Sequence, residues 1–242
     1  MRVATWNLNR PTKNGLKKNP ERRQKICETN ADIWILTETH TSIDLSPEYC
    51  GEATTPSPRK DLPGESCATI WSRWPITRRL KTADETEAVC VEIVAPDQEL
   101  RLLVYGCIIP YKGYRGRDGS SAPWEENWKF IELYSRDWSR LVREFPTHTL
   151  IVGGDFNQDR DGSNWYGQEP GYTLLSKAMK DAGLVCVTEE DFVKVGKLKN
   201  RHSVDHICVS QTLQDRVQCV QPWEGEGLSD HNGVWVDLQV QS

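Results

Sequence analysis

Short runs rich in Val, Ile and Leu, bounded by Gly, Pro, Asn or Asp, recur along the chain and predict β-strands. They fall at Arg2–Trp6, Asp32–Leu36, Ala68–Trp71, Val89–Val94, Leu100–Ile109, Thr149–Val152, Val204–Val209 and Val234–Val240. A different period governs the middle of the chain. Trp124, Trp128, Ile131, Tyr134, Trp138, Leu141 and Phe145 return every third or fourth residue, which makes one apolar stripe on a helix. Ser121 is suited to cap that helix, Pro123 to its first turn, and Pro146 ends it. Two shorter helices are predicted, from about Pro20 to Thr29 and from about Leu174 to Ala182, the second stopped by Gly183. The tryptophans of the stripe are expected to pack in the core. Tyr111–Pro123 and Gln158–Gly171 carry no periodicity and are expected to be loops, long enough to be functional.

Strands alternating with a few helices, with no linker or repeat between them, argue for an α/β chain folded as one domain over residues 1–242. That length buries a full core without disulfide or metal staples. The eight cysteines include no C-x-x-C pair, and several sit in apolar runs, so they read as reduced core thiols. Ten tryptophans are many, and some are available as stacking surfaces. The formal net charge is −5, unlike a domain that grips duplex nucleic acid across its whole face. Either a local basic patch or a smaller substrate is implied, and an acidic total also suits a site crowded with carboxylates. No run is apolar enough to span a bilayer, and the chain enters a strand almost at once, so membrane insertion and a signal peptide are not expected. The expected compartment is the cytoplasm.

Polar residues punctuate five of the strands. The first ends in Trp6-Asn7-Leu8-Asn9, the second in Thr37-Glu38, and the run to Val152 continues as Gly153-Gly154-Asp155-Phe156-Asn157. Val204-Asp205-His206 and Leu228-Ser229-Asp230-His231 instead precede or open strands. Antiparallel neighbours in a mixed sheet bring strand starts and strand ends to one edge. The inventory there is oxygen-rich, suited to Mg²⁺, with a histidine available for proton transfer near neutrality and no serine or cysteine nucleophile. It argues for metal-assisted attack of water on phosphorus. Taken singly, each string has a plainer reading as a strand end, loop-entry charge, turn or cap. Their joint occurrence favours chemistry. His206 is expected on the opposite face of its strand from Asp205. His202 follows a basic stretch and fits either substrate contact or a solvated loop. Lys112, Arg115 and Arg117 precede the long helix, where they would be solvated or would meet flanking phosphates. Trp165 would stack on a base or pin its loop.

In this order, Trp6-Asn7, Thr37-Glu38, Gly154-Asp155-Phe156-Asn157, Val204-Asp205-His206 and Ser229-Asp230-His231 resemble the signature motifs of the endonuclease/exonuclease/phosphatase superfamily. Ala68–Ile76 resembles a structural stretch of the same group. The resemblance implies a four-layer α/β sandwich, two mixed β-sheets packed face to face with helices outside. It implies a Mg²⁺-dependent phosphodiesterase, with Mn²⁺ as a substitute, acting on nucleic acid. Glu38 would be the principal metal ligand, helped by Asn7 and Asp230. Asp155 would position water or protonate the leaving oxygen, Asn157 would hold a phosphate oxygen, and His231, oriented by Asp205, would contact the scissile phosphate. Two departures stand out. Asn9 occupies a position where the abasic-endonuclease branch has Asp, and Ile108 falls in a slot where the family has His or Tyr, for which Tyr105 or Tyr111 would substitute. The competing readings are a phosphatase or phosphodiesterase of a small or lipid-linked ester, and a catalytically silent binding module. The sequence does not indicate an oligomeric state.

Overall fold

The computed structural model describes residues 1–11, 15–56, 63–95 and 100–239. In chain order the elements are β1 (Arg2–Asn7), α1 (Asn19–Thr29), β2 (Ile33–His40), β3 (Cys50–Ala53), β4 (Glu65–Ser72), β5 (Ile76–Leu80) and β6 (Ala88–Val94). They continue with β7 (Arg101–Ile108), α2 (Glu125–Glu144), β8 (Thr149–Asp155), α3 (Gly171–Asp181), β9 (Leu184–Cys186), β10 (Asp205–Ser210), β11 (Val217–Trp223) and β12 (Gly233–Leu238). Two six-stranded sheets result, ordered β11-β12-β1-β2-β4-β3 and β5-β6-β7-β8-β10-β9. In each sheet the central pair, β1 with β2 and β7 with β8, is parallel, and the remaining pairings are antiparallel. A parallel pair needs a crossover, and α1 and α2 supply the two.

Side-chain alternation then sorts the layers. Val3, Ile33, Ile35, Val104, Ile151, Ile207 and Val236 share the cluster between the sheets. Ala4, Trp6, Trp34 and Leu36 turn the other way and pack with Ile26 of α1. On the outer face of the second sheet, Ile131, Tyr134, Trp138 and Leu141 of α2 and Leu175 of α3 pack on Tyr105, Val152 and Cys208. The fold is therefore the expected four-layer sandwich, and the tryptophan stripe of α2 is largely core.

All eight expected strand positions contain strands, although Val240 lies outside the described residues. Four further strands, β3, β5, β9 and β11, were not expected. All four are sheet edges, and in β3, β5 and β11 one side of the ladder meets water and hydrophobic patterning fades. The remaining edge strand, β9, is only three residues long. Ser121 does not cap α2. Trp124, with φ of 69°, stands at the cap position without a side-chain bond, and Ser121 Oγ instead donates to Glu126 Oε1. All eight cysteines are free thiols, but Cys27, Cys50 and Cys219 are exposed rather than in the core. Among the described residues no helix is long and apolar enough to cross a membrane.

Candidate active site

The strand ends meet at one end of the sandwich. Asn7 and Asp155 lie on the inner faces of opposite sheets, continuing the alternation of Val3 and Thr5 in one and Ile151 in the other. Asn7 Nδ2 donates to Asp155 Oδ2 across the gap, at 2.9 Å. Facing side chains of this size can bridge the usual sheet separation of about 10 Å. Nearby, Gly153 lets Ile35 of the facing sheet pack closely, since a Cβ there would come within 2.8 Å of Ile35 Cδ1.

Asp155 is fully enclosed. Its Oδ1 accepts the backbone N–H of Asn157 at 2.8 Å, and Oδ2 accepts the Asn157 amide at 2.9 Å. The same Asn157 Nδ2 also donates to Ile109 O at 3.0 Å, so both its protons are engaged inside the protein. A φ of 49° turns Asn157 back into the site, a conformation asparagine tolerates well.

Beside it, β8 pairs antiparallel with β10, and Asp205 lies directly opposite Asp155. Asp205 Oδ2 pairs with His231 Nδ1 at 2.6 Å, and His231 Nε2 lies 4.0 Å from Asp155 Oδ2. The turn before β12 is locked by Ser229, whose hydroxyl donates to Asn7 O at 2.6 Å and accepts His231 N–H at 3.0 Å. Burial disfavours the imidazolium, but the charges of Asp205 and Asp155 outweigh it, and His231 is pushed up to about 10. Burial is also the main influence on Asp155, reinforced by Asp205 and Glu38 and opposed by His231, and its carboxyl is pushed up to about 7. Asp205 Oδ1 is buried with no protein partner.

Glu38 closes the other side. Regular alternation would send it outward with Trp34 and Leu36, but a φ of 47° interrupts β2 and leaves it on the cleft. Its carboxylate meets Arg10 at 3.3 Å. Glu38, Asp155, Asn157, Asp205, Asp230 and His231 all line one cleft of about 340 Å³. Asn7 lies beneath it, fully buried, with Oδ1 accepting the Asn9 N–H at 2.8 Å. The donor set is hard and all-oxygen, Glu38 and the exposed Asp230 open to the cleft, and this fits a divalent cation of the Mg²⁺ type. Asp155, Asp205 and His231 also offer ligand atoms within 4.8 Å of one another.

The loops complete the walls. Trp165 is 46% exposed on the cleft and lies 6.0 Å, ring to ring, from His202. His202 Nδ1 is held by Asp161 at 2.6 Å and by Asp191 at 3.5 Å, so it belongs to the cleft wall rather than to a solvated loop. Tyr111 lines the cleft as well. Tyr105 cannot substitute at the Ile108 slot, because it is buried on the helix side with its hydroxyl donating to Asp137 at 2.9 Å. His206 also faces that side, against Phe156, as expected. Lys112, Arg115 and Arg117 are exposed. Arg115 donates to Ser121 O at 3.2 Å and Arg117 meets Asp84 at 3.1 Å, and neither lines the cleft beside His231. Sequence reasoning missed Arg10, Arg201 and Asn232. Arg10 directly follows the Asn7-Leu8-Asn9 string, and that adjacency was its one available signal.

A model of the endonuclease/exonuclease/phosphatase family matches residues 4–231. The fold is similar to that of the endonuclease domain of TRAS1, a telomere-specific non-LTR retrotransposon, at 18% identity and a TM-score of 0.66, covering 100% of this chain and 99% of that one. It is similar to AP endonuclease LMAP from Leishmania major at 15% identity and a TM-score of 0.74, covering 99% of this chain and 88% of that one. An AP endonuclease from Archaeoglobus fulgidus matches at 14% identity and a TM-score of 0.70, covering 99% and 100%. No curated protein sequence matches this chain significantly.

Proposed function

From the premise that the chain belongs to the endonuclease/exonuclease/phosphatase family, and so is a phosphate ester hydrolase, we propose that it is a Mg²⁺-dependent phosphodiesterase that hydrolyses nucleic-acid phosphodiester bonds. One observation carries the reading: a buried carboxylate, Asp155, and a carboxylate-braced imidazole, His231, stand 4.0 Å apart on the wall of a cleft that also exposes Glu38.

Asp155 lies near neutrality and takes a proton from water as its oxygen attacks phosphorus. His231, charged through Asp205, gives a proton to the ester oxygen as the P–O bond breaks. The proton on Asp155 then returns to His231 by way of water in the cleft, which restores the imidazolium. Asp205 holds the imidazole by one nitrogen and leaves the other facing the reacting groups. Glu38 and Asp230 would hold the cation, with Asn7 beneath them, and the cation would supply charge neutralisation at the phosphoryl oxygens. Asn157 would hold a phosphate oxygen by giving up its amide bond to Asp155. Trp165, Lys112, Arg115 and Arg117 would meet the flanking parts of the substrate.

The net charge of −5 favours a second reading, in which the diester is a small molecule rather than a polymer. Purified protein should be incubated with DNA, RNA, nucleotide conjugates and inositol phosphates, with Mg²⁺ or EDTA. Mg²⁺-dependent cleavage of nucleic acid supports the first reading. Cleavage confined to small esters selects the second, and no cleavage of any ester, indistinguishable from His231→Ala, overturns both.

A further inference from the structure

A second pocket of about 330 Å³ opens on the far side of Glu38 from His231. It shares Glu38, Tyr111 and Asn157 with the first cleft, so the two cavities meet where a phosphate would be held. Both volumes lie in the range of small-molecule sites, about 300–1,000 Å³. A phosphate monoester has one ester arm and would fill one of them. A diester has two arms.

The walls define what the second arm carries. Ile108 and Pro110 make an apolar surface, and the rings of Tyr111 and Tyr114 stand beside it. Thr86, Cys67 and Glu87 supply the polar groups. Burial raises both the Glu87 carboxyl and the Cys67 thiol, and the two side chains lie within hydrogen-bonding reach of each other on this edge. The two cations are already engaged. Arg10 pairs with Glu38 at 3.3 Å, and Arg117 pairs with Asp84 at 3.1 Å and donates to Thr86 Oγ1 at 3.0 Å. Among the described residues lining this pocket, a second phosphate would have to displace one of these carboxylates to reach a cation. A lipid tail would match the Ile108 and Pro110 surface but would make no polar contact with the Thr86, Glu87 and Cys67 edge. A flat ring with hydrogen-bonding edges satisfies both the aromatic and the polar walls.

Resting on the phosphodiesterase reading above, we infer that this pocket is a base subsite, which takes the heteroaromatic ring of a nucleoside esterified to the scissile phosphate. The preferred substrate is then a diester with a nucleoside on this arm. Because the ring is read on a stacking surface, tolerance among bases is expected.

The test uses a dinucleoside monophosphate and the two nucleoside methyl phosphates that replace one or other nucleoside by methyl, with Mg²⁺ present. Tyr114→Ala removes one ring and Glu87→Leu removes the polar edge, and circular dichroism checks that each variant folds. Tyr114→Ala should raise KM for the dinucleoside substrate on the order of tenfold, from the loss of one base–aromatic contact. It should leave unchanged the methyl ester that lacks the nucleoside on this arm. In parallel, a nucleoside monophosphate is titrated in EDTA by tryptophan fluorescence, where both variants should bind several-fold more weakly. If the diesters are cleaved but neither variant separates the substrates, and nucleoside monophosphate binding is also unaltered, the base subsite is wrong while the phosphodiesterase reading stands. If no diester is cleaved, that reading fails, and the EDTA titration alone decides whether the pocket holds a nucleoside.

Discussion

Asp205→Asn removes one charge while keeping a hydrogen-bond acceptor beside His231, and so tests whether the pair works as a unit. In the folded protein Asp205 Oδ2 lies 2.6 Å from His231 Nδ1, and Asp155 Oδ2 lies 4.0 Å from Nε2. Burial opposes the imidazolium, and these two carboxylates reverse that opposition, taking the ring from 6.5 to about 10. The difference corresponds to about 5 kcal/mol of preference for the charged ring, an order-of-magnitude figure. Asp205 is the nearer carboxylate and carries the larger share. In Asp205→Asn the alkaline limb of the kcat profile should therefore move down by at least about one pH unit. The raised pKa also fixes the sign for stability. The contribution is fully present below about 6.5 and is lost as pH rises towards about 10. Urea midpoints of the wild type should fall across that window, and those of Asp205→Asn should fall less. His231→Ala should lower kcat by about 10²–10⁴, the usual cost of losing a positioned acid or base. The double variant should be little worse than His231→Ala alone, because groups acting as a unit are not additive. Rates measured from pH 6 to 11 on a diester substrate, with wild type and all three variants, decide the matter. An alkaline limb that stays in place, or losses that multiply in the double variant, would refute the dyad.

Three further outcomes are expected. Activity should vanish in EDTA and return with Mg²⁺ or Mn²⁺, and Glu38→Gln should weaken metal binding in a calorimetric titration without shifting the thermal midpoint by more than a few degrees; full activity in EDTA would exclude the metal. Asp155 acts as a base only when ionised, so kcat should fall as pH drops below about 7, and Asp155→Asn should abolish this acid limb together with most of the activity. Replacing Lys112, Arg115 and Arg117 together by Ala should raise KM for a nucleic-acid substrate and flatten its dependence on salt, with kcat nearly unchanged; an unchanged KM across a range of salt would make that loop solvated surface only.

Much of this was legible in the sequence for a physical reason. Central strands are buried on both faces, so β1, β2, β7, β8 and β10 read as dense apolar runs, and the polar groups that interrupt them at their ends are conspicuous. Asp155 and Asp205 could be referred to one edge because antiparallel neighbours exchange starts and ends. Edge strands gave less. β5, with Arg78 and Arg79 in its middle, and the half-exposed β11 have one side in water and lose the pattern. Loop contacts were least legible. Nothing local to His202 indicates Asp161 and Asp191, which are brought to it from elsewhere in the chain, and Arg117 is tied to Asp84 across the site entrance.

The spacing between the sheets was also hidden, although the chemistry depends on it. Asn7 and Asp155 belong to different sheets, so their bond crosses the interior of the sandwich. In the same interior, Gly153 and Gly106 carry no side chain where Ile35 and Ile70 face them. In the sequence these glycines sit inside apolar strands, where they read as weak points of the ladder. In the fold they are where the two sheets close. The same closure encloses Asp155, and enclosure is the largest cause of its raised pKa. Glycines in the inner layer thus let the two sheets pack tightly beneath the buried pair, although neither glycine touches the cleft.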